Sequence, residues 1–395
     1  MSKTQAKSSQ RRLAPMLRAS EKINHIFNVI SICACVVLAG GVAVFGYHSL
    51  GVAIWAVGSC VLFDWLCYLA TNTPSRLGKS HAIMTGLLLT LTLPAFVPWW
   101  VVMLASAFAI LAGKTIFGGV GNYIWQPALV GRFAVAIIVP VVASQANINP
   151  QNWPVLSKSH MFFGDITDSA PAENYTSFSE QIPADKANAF AIPPVNSWFK
   201  SLTQGSQPKL SSLADISGGT HSKMPALLGK LPPMEDLIWG KRPGGIGETC
   251  AMLIMIAGLY LVYRNYVKIE LPLSFLLCAW LIAAVMPIEL ARPDGSQITQ
   301  SMPLFSSGLG VGFTYANYRI LSGSYLLAAF FLAPEMTTRP ITRRGQIIFG
   351  CGCGILAMLL DMFLPVAIPV YIAVLIMNSA TPLIDRFCKP RVFGQ

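Results

Sequence analysis

Charge is scarce in this chain. Asp, Glu, Lys and Arg make up 11% of its 395 residues, against about 25% in a soluble domain. Acidic residues are the scarcer sign, 17 against 28 Lys and Arg, for a net charge of +11. No basic run is interleaved with aromatics, so the excess does not read as a nucleic-acid footprint. The amino end, with Arg11, Arg12, Arg18 and Lys22, lacks a cleavable signal pattern and reads as a cytoplasmic basic tail. Cysteine is missing from the polar centre of the chain, and most of the nine cysteines lie in apolar runs. There is no ferredoxin-type cysteine run and no nicotinamide-binding glycine fingerprint. Chemistry that needs either must be supplied by other proteins.

What is abundant is apolar sequence. Residues 23–143 and 249–387 are almost continuously apolar, and 144–248 is rich in Ser, Pro, Asn, Gln, Lys and Asp. A helix rising about 1.5 Å per residue needs roughly 20 apolar residues to cross about 30 Å of hydrocarbon. The two apolar halves therefore belong in a membrane, and the insert belongs outside it. This divides the chain into a basic tail (1–22), a first membrane half, an external loop (144–248), a second membrane half and a short tail (388–395). The expected fold is an all-α polytopic membrane protein with ten helices. They are placed at 24–46, 50–71, 82–94, 97–113, 127–144, 249–265, 270–288, 318–334, 345–363 and 365–386, the third short and broken or re-entrant. Five helices on each side of the insert predict two repeats of opposite orientation. Thr85-Gly86-Leu87-Leu88-Leu89 before Pro94 echoes Ser322-Gly323-Ser324-Tyr325-Leu326-Leu327 before Pro334.

Charge in the short connections sets the orientation. With the amino terminus cytoplasmic, the cytoplasmic side holds Arg76, Lys79, Lys114, Arg264, Lys268, Arg339, Arg343, Arg344, Lys389 and Arg391. The opposite short connections hold Arg292. Positive charge collects on the cytoplasmic side of membrane proteins, so both termini are expected inside and 144–248 outside.

Two glycine-rich stretches interrupt the apolar runs. One is Gly118-Gly119-Val120-Gly121-Asn122, followed by Gln126-Pro127-Ala128-Leu129-Val130-Gly131-Arg132. The other is Pro243-Gly244-Gly245-Ile246-Gly247-Glu248-Thr249, just before a helix. Glycine lets backbone approach a ligand or another helix, and free N–H groups at a helix start suit an anion such as a phosphate; helix packing is the alternative for both. Carboxylates inside membranes are functional candidates. Asp64 and Glu248 lead as ion-pathway residues, ahead of Asp361 and Glu289. The pairs Cys33/Cys35 and Cys351/Cys353 place their thiols about 200° apart on a helix, which suits small buried apolar groups better than shared ligands of a cluster.

Asp215-Ile216-Ser217-Gly218-Gly219-Thr220 lies in the insert, and Pro382-Leu383-Ile384-Asp385-Arg386 with Pro390-Arg391-Val392-Phe393-Gly394 closes the chain. In this order, with both glycine stretches, Met84-Thr85-Gly86-Leu87-Leu88-Leu89 and Arg344-Gly345-Gln346-Ile347-Ile348-Phe349-Gly350, the chain resembles the RnfD/NqrB family of membrane flavoproteins, from about residue 25 to 394. The absence of a long amino-terminal extension makes it most similar to the RnfD side. The resemblance implies a subunit of an Rnf-type complex in the bacterial inner membrane. Such a subunit relays electrons through covalently bound FMN while ferredoxin/NAD chemistry drives Na⁺ or H⁺ transport. Its implied partners are other Rnf-type membrane and peripheral subunits, including iron–sulfur and flavin subunits, and membrane lipid.

A Ser-Gly-Ala-Thr sequence carries the FMN in that family, so the resemblance implies attachment at Thr220, after Ser217, Gly218 and Gly219. Here Gly219 stands where the family has Ala. Gly118, Gly119, Gly121, Gly244, Gly245 and Gly247 are the further cofactor-binding candidates, for a second, noncovalent flavin such as riboflavin. Tyr123 and Gln126 replace family asparagines beside that stretch, and Glu335 keeps the acid of the family's Ala-Thr-Asp-Pro. No catalytic residue or metal ligand is assigned, and the chain alone is not a complete enzyme. The rival readings are the NqrB-type subunit of a Na⁺-translocating NADH:quinone oxidoreductase, and a non-redox transporter or scaffold of the same fold.

Overall fold

Four helices are long and apolar enough to cross a membrane: Ile23–Phe45, Tyr47–Ala70, Arg343–Phe363 and Pro369–Phe387. They belong to a computed structural model that describes residues 23–71, 81–95, 97–139, 234–240, 244–291, 298–301, 303–306, 309–322, 324–364 and 368–389. The first half contains α1 (Ile23–Phe45), α2 (Tyr47–Thr71), α3 (His81–Thr92), α4 (Trp99–Ile110), which runs into a π turn (Leu111–Thr115), and α5 (Pro127–Ile138). Then come α6 (Met234–Trp239), α7 (Ala251–Tyr263), α8 (Glu270–Val285), β1 (Ile288–Ala291), β2 (Ile298–Ser301) and α9 (Pro303–Ser306). The chain continues through α10 (Leu309–Ser322), α11 (Tyr325–Leu327) with its π turn (Ala328–Leu332), α12 (Arg343–Phe363) and α13 (Pro369–Phe387). The strands form an antiparallel ribbon with Ile288 opposite Ser301 and Ala291 opposite Ile298.

Local chemistry sets several boundaries. Gly46, at φ +73°, separates α1 from α2, and its carbonyl accepts from the Ser49 hydroxyl at 2.7 Å. Thr342 caps α12 by accepting from the Gly345 N–H at 3.1 Å, while Pro127 and Pro369 open α5 and α13, where a missing N–H costs nothing.

Two expectations about the spans change. The helix expected over 318–334 is two helices, α10 and α11, with a break after Ser322. Continuous apolarity does not reveal that break, because hydropathy is blind to where the backbone turns. The helix expected over 249–265 has only 13 residues as α7, and α3, expected to be short, has 12, about 18–20 Å of rise each. Each is too short to cross alone. The ribbon of β1 and β2 is an addition to the expected all-α fold, and 144–233 lies outside the described residues.

Packing relies on backbone contact. A Cβ on Gly86 of α3 would stand 2.7 Å from the Val57 Cα of α2, and one on Gly354 of α12 would stand 3.0 Å from the Ala279 N of α8. Small residues at crossings replace the water-driven packing that lipid cannot supply. The large apolar side chains that remain point outward. Leu273, Leu277 and Leu281 form an exposed stripe on α8, and Ile54, Trp55, Leu62, Trp65, Leu66 and Leu69 cover much of α2. Exposed apolar surface on this scale marks a lipid contact.

Candidate functional site

The halves meet where α1 packs on α7, where the end of α3 meets residues 244–250, and where α5 packs on α13. The last two of these carry buried polar groups.

The Gly118–Gly121 loop leads into the α5 seam. Gly118, Gly119 and Gly121 have φ of +91°, +95° and +103°, where any side chain would be strained. Gly118 and Gly119 donate to the carbonyls of Thr115 and Lys114 at 3.0 and 3.1 Å. The loop thereby turns back from the π turn and carries Tyr123 and Gln126 inward. Trp125 Nε1 donates to Ser379 Oγ of α13 at 2.7 Å.

The second glycine turn docks on α3. Ile246 and Gly247 donate to the carbonyls of Leu93 and Leu91, each at 2.9 Å, and Glu248 donates to Gly245 at 3.0 Å. Gly245 N–H donates to Glu248 Oε2 at 3.0 Å. Four successive N–H groups are thus engaged within the protein. Two of them satisfy carbonyls at the end of α3 and two close the turn on itself, so the geometry favours the packing role for Gly244, Gly245 and Gly247 over an anion cradle. The two glycine stretches serve opposite ends of α3, since Tyr123 meets His81 and Gly247 meets Leu91. Ten residues of helix separate them by about 15 Å.

Glu248 Oε1 also accepts from the Tyr371 hydroxyl of α13, and Arg132 of α5 faces that pair electrostatically. Farther along lie Gln126 and Asn378. These side chains are 1% (Gln126), 4% (Arg132) and 0% (Asn378) exposed. Both amide atoms of Gln126 and of Asn378, and Nε and Nη1 of Arg132, have no hydrogen-bond partner among the described residues. Buried polar atoms are rarely left so, and each costs about 1–3 kcal/mol unpaired. Tyr371 and Asn378 are seven residues apart, so the seam runs about 10 Å along the helix. It offers amide donors, amide acceptors and a guanidinium, and no nucleophile. That is the equipment of a binding site for an elongated polar molecule.

Of the expected site residues, Thr220, Ser217, Gly218 and Gly219 lie outside the described residues. Asp64 pairs with Lys114 of the π turn at 2.5 Å. Asp361 pairs with Arg319 at 3.0 Å and accepts from Tyr325 at 3.1 Å. Both acids therefore already have a cation beside them. Cys33 is buried and Cys35 exposed, as opposite helix faces require. Sequence reasoning gave no role to Tyr371, took Asn378 only as part of a carboxyl-end motif, and counted Lys114 as an orienting charge in a short connection, whereas the structure buries it beside Asp64. Arg132 did carry a signal, a cation inside an apolar run, which a search for carboxylates passes over.

The NQR2, RnfD, RnfE family model matches residues 11–394. The D-type subunit of the ion-translocating oxidoreductase complex of Stutzerimonas stutzeri is 30% identical, covering 96% of this chain and 94% of that protein. The D-type subunit of the proton-translocating ferredoxin:NAD(+) oxidoreductase complex of Clostridium ljungdahlii is 27% identical, covering 96% and 95%. The D-type subunit of the Na(+)-translocating ferredoxin:NAD(+) oxidoreductase complex of Acetobacterium woodii is also 27% identical, covering 96% and 94%.

Proposed function

The chain belongs to the NQR2, RnfD, RnfE family, and from that premise we propose that it is the D-type membrane subunit of an ion-translocating electron transport complex. It works with ferredoxin/NAD chemistry carried by other subunits. The observation that carries this reading is the end-to-end match to relatives named as the D-type subunits of such complexes. The resemblance of the insert motif extends it to covalent FMN on the Thr220 hydroxyl. A bound flavin supplies one- and two-electron transfer through its ring.

The α5–α13 seam fits a second, noncovalent flavin. Its unpartnered amides suit the hydroxyls and ring carbonyls of a riboflavin-like molecule, and Arg132 and Glu248 bring opposite charges to its other end. Gln126, Asn378 and Arg132 would hold the group, and the Gly118–Gly121 loop positions Gln126.

Ten membrane passes in two inverted repeats remain the proposed architecture. Helix packing supports it. In the first half α2 packs on α3 and α4, and α4 on α5; in the second α8 packs on α10 and α12, and α12 on α13. Short helices such as α3 and α7 then act as half-spans, the first ending on the turn that leads into the second. Both termini face the cytoplasm across the bacterial inner membrane, and the 144–248 loop faces outward.

Thr220→Val tests the flavin assignment, because it keeps the branched shape and removes the hydroxyl a phosphoester needs. Wild type, expressed with its flavin transferase, should give a flavin-fluorescent band on a denaturing gel. Its Thr220 peptide should gain the mass of FMN minus water. The variant should lose both while still inserting in the membrane. Wild type without covalent flavin would remove the relay at Thr220 from this reading.

A further inference from the structure

A second buried polar cluster joins the halves away from the α5–α13 seam. Tyr123, from the glycine loop of the first half, donates its hydroxyl hydrogen to Glu335 Oε1 of the second half at 2.5 Å. The same hydroxyl oxygen lies 2.9 Å from His81 Nε2, at the start of α3. His81 Nε2 and Glu335 Oε1 are 3.8 Å apart. All three side chains are buried, Glu335 being 7% exposed, and Glu335 Oε2 has no hydrogen-bond partner.

The hydrogens can be assigned from these contacts. With the Tyr123 hydrogen donated to Glu335, the hydroxyl accepts from His81, and the tautomer with a proton on Nε2 completes the chain. Thr85 commits its hydroxyl hydrogen to the His81 carbonyl at 2.9 Å. It therefore offers only a lone pair to Nδ1, at the longer distance of 3.5 Å. Both ring nitrogens face hydroxyl oxygens. The other groups facing the cluster are Phe27 of α1, with its ring 5.2 Å from that of His81, and Thr337, beside the Tyr123 hydroxyl. Arg339 lies in the same turn as Glu335, but its guanidinium donates to the Tyr266 carbonyl at 3.2 Å.

We propose that His81, Tyr123 and Glu335 form a proton-binding relay that holds one exchangeable proton between the two halves. In the transfer, the Tyr123 O–H bond breaks and an O–H bond forms on Glu335 Oε1. The His81 Nε2–H bond breaks and its proton restores the tyrosine hydroxyl. Imidazolium and carboxylate become imidazole and carboxylic acid, with no change in electrons. While Glu335 is a carboxylate, its unpartnered Oε2 is where the group can take up a proton from outside the chain, and once it is an acid it can release one there. Three protein atoms, one of them a ring nitrogen, suit a proton and not a hard metal cation, which collects six or more oxygen ligands.

The proposal rests on the buried geometry and needs neither flavin, so the test uses the purified full-length chain in lipid nanodiscs without partners. Infrared difference spectra are recorded from about pH 5 to about pH 9, a range that covers an ordinary imidazole, and then with Na⁺ varied at fixed pH. We expect a carboxylic-acid carbonyl band that grows as pH falls, shifts in heavy water and is absent in Glu335→Gln. Tyr123→Phe and His81→Gln should each move its midpoint by at least about one pH unit, as loss of a direct partner does. The relay is overturned if the band is missing from wild type, persists in Glu335→Gln or ignores both relay variants. A band that follows Na⁺ at constant pH overturns it too. If Glu335→Gln fails to fold, Glu335→Asp, which keeps an acid, must move the band, and an unmoved band overturns the relay.

Discussion

At the scale of single residues, the interior separates charges that are satisfied from polar groups that are not. Asp64 and Asp361 each have a cation within 3.0 Å. A closed pair of this kind already compensates its charge, which leaves little to attract a passing ion. Glu248 differs, because it links a backbone turn, the Tyr371 hydroxyl and the field of Arg132. Glu248→Gln keeps the size and the hydrogen-bonding amide but removes the charge facing Arg132. Complex turnover should fall about tenfold, equivalent to about 1.4 kcal/mol, while the amount of assembled complex changes little. Turnover equal to wild type across a range of salt concentrations would reduce Glu248 to a turn-capping residue. The motif containing Glu248 was legible in the sequence. Its partners were not, because Tyr371 lies 123 positions away on another helix.

At the scale of elements, helix contacts depend on the missing side chains of glycine. Gly354 sits where a Cβ would stand 3.0 Å from the Ala279 N and 3.2 Å from the Cys278 Cβ. Gly354→Leu should force α12 away from α8 and cost about 1–3 kcal/mol, the usual range for overpacking. Thermal unfolding of the purified chain in detergent would read this as a lower midpoint. A midpoint at or above that of wild type would mean that the helices do not touch there. The apolar runs announced most of these helices. They announced that α3 is short, but not the break between α10 and α11 or that α7 stops short. Those ends depend on turns that dock against other segments, as 246–247 do on Leu91 and Leu93.

At the scale of the whole molecule, the positive charges of the short connections are the ground for the proposed orientation. Cysteines introduced singly at Ser177 and Ser206 should react with a membrane-impermeant thiol reagent in intact cells, above the wild-type background. Labelling only after lysis would reverse the orientation and put Thr220 on the wrong side for its proposed modification. The pure chain should also show no steady turnover with NADH or ferredoxin, because its sequence carries no binding motif for either. Sustained turnover, free of contaminating subunits, would make it an enzyme in its own right. The relatives leave the coupling ion open, since two at 27% identity are named for different ions.

Composition and order along the chain determined three things alone: residence in a membrane, two apolar halves around a polar insert, and membership of the family. These follow from local quantities, namely apolar run length, charge placement and short motifs. Only the tertiary structure decided which polar side chains meet. Trp125 and Arg132 are brought to α13, and Tyr123 reaches across 212 positions to Glu335. Such pairings arise from helices crossing at glycines and from turns that enter the interior. Neither leaves a periodic trace in the sequence, because each partner is specified in a different half.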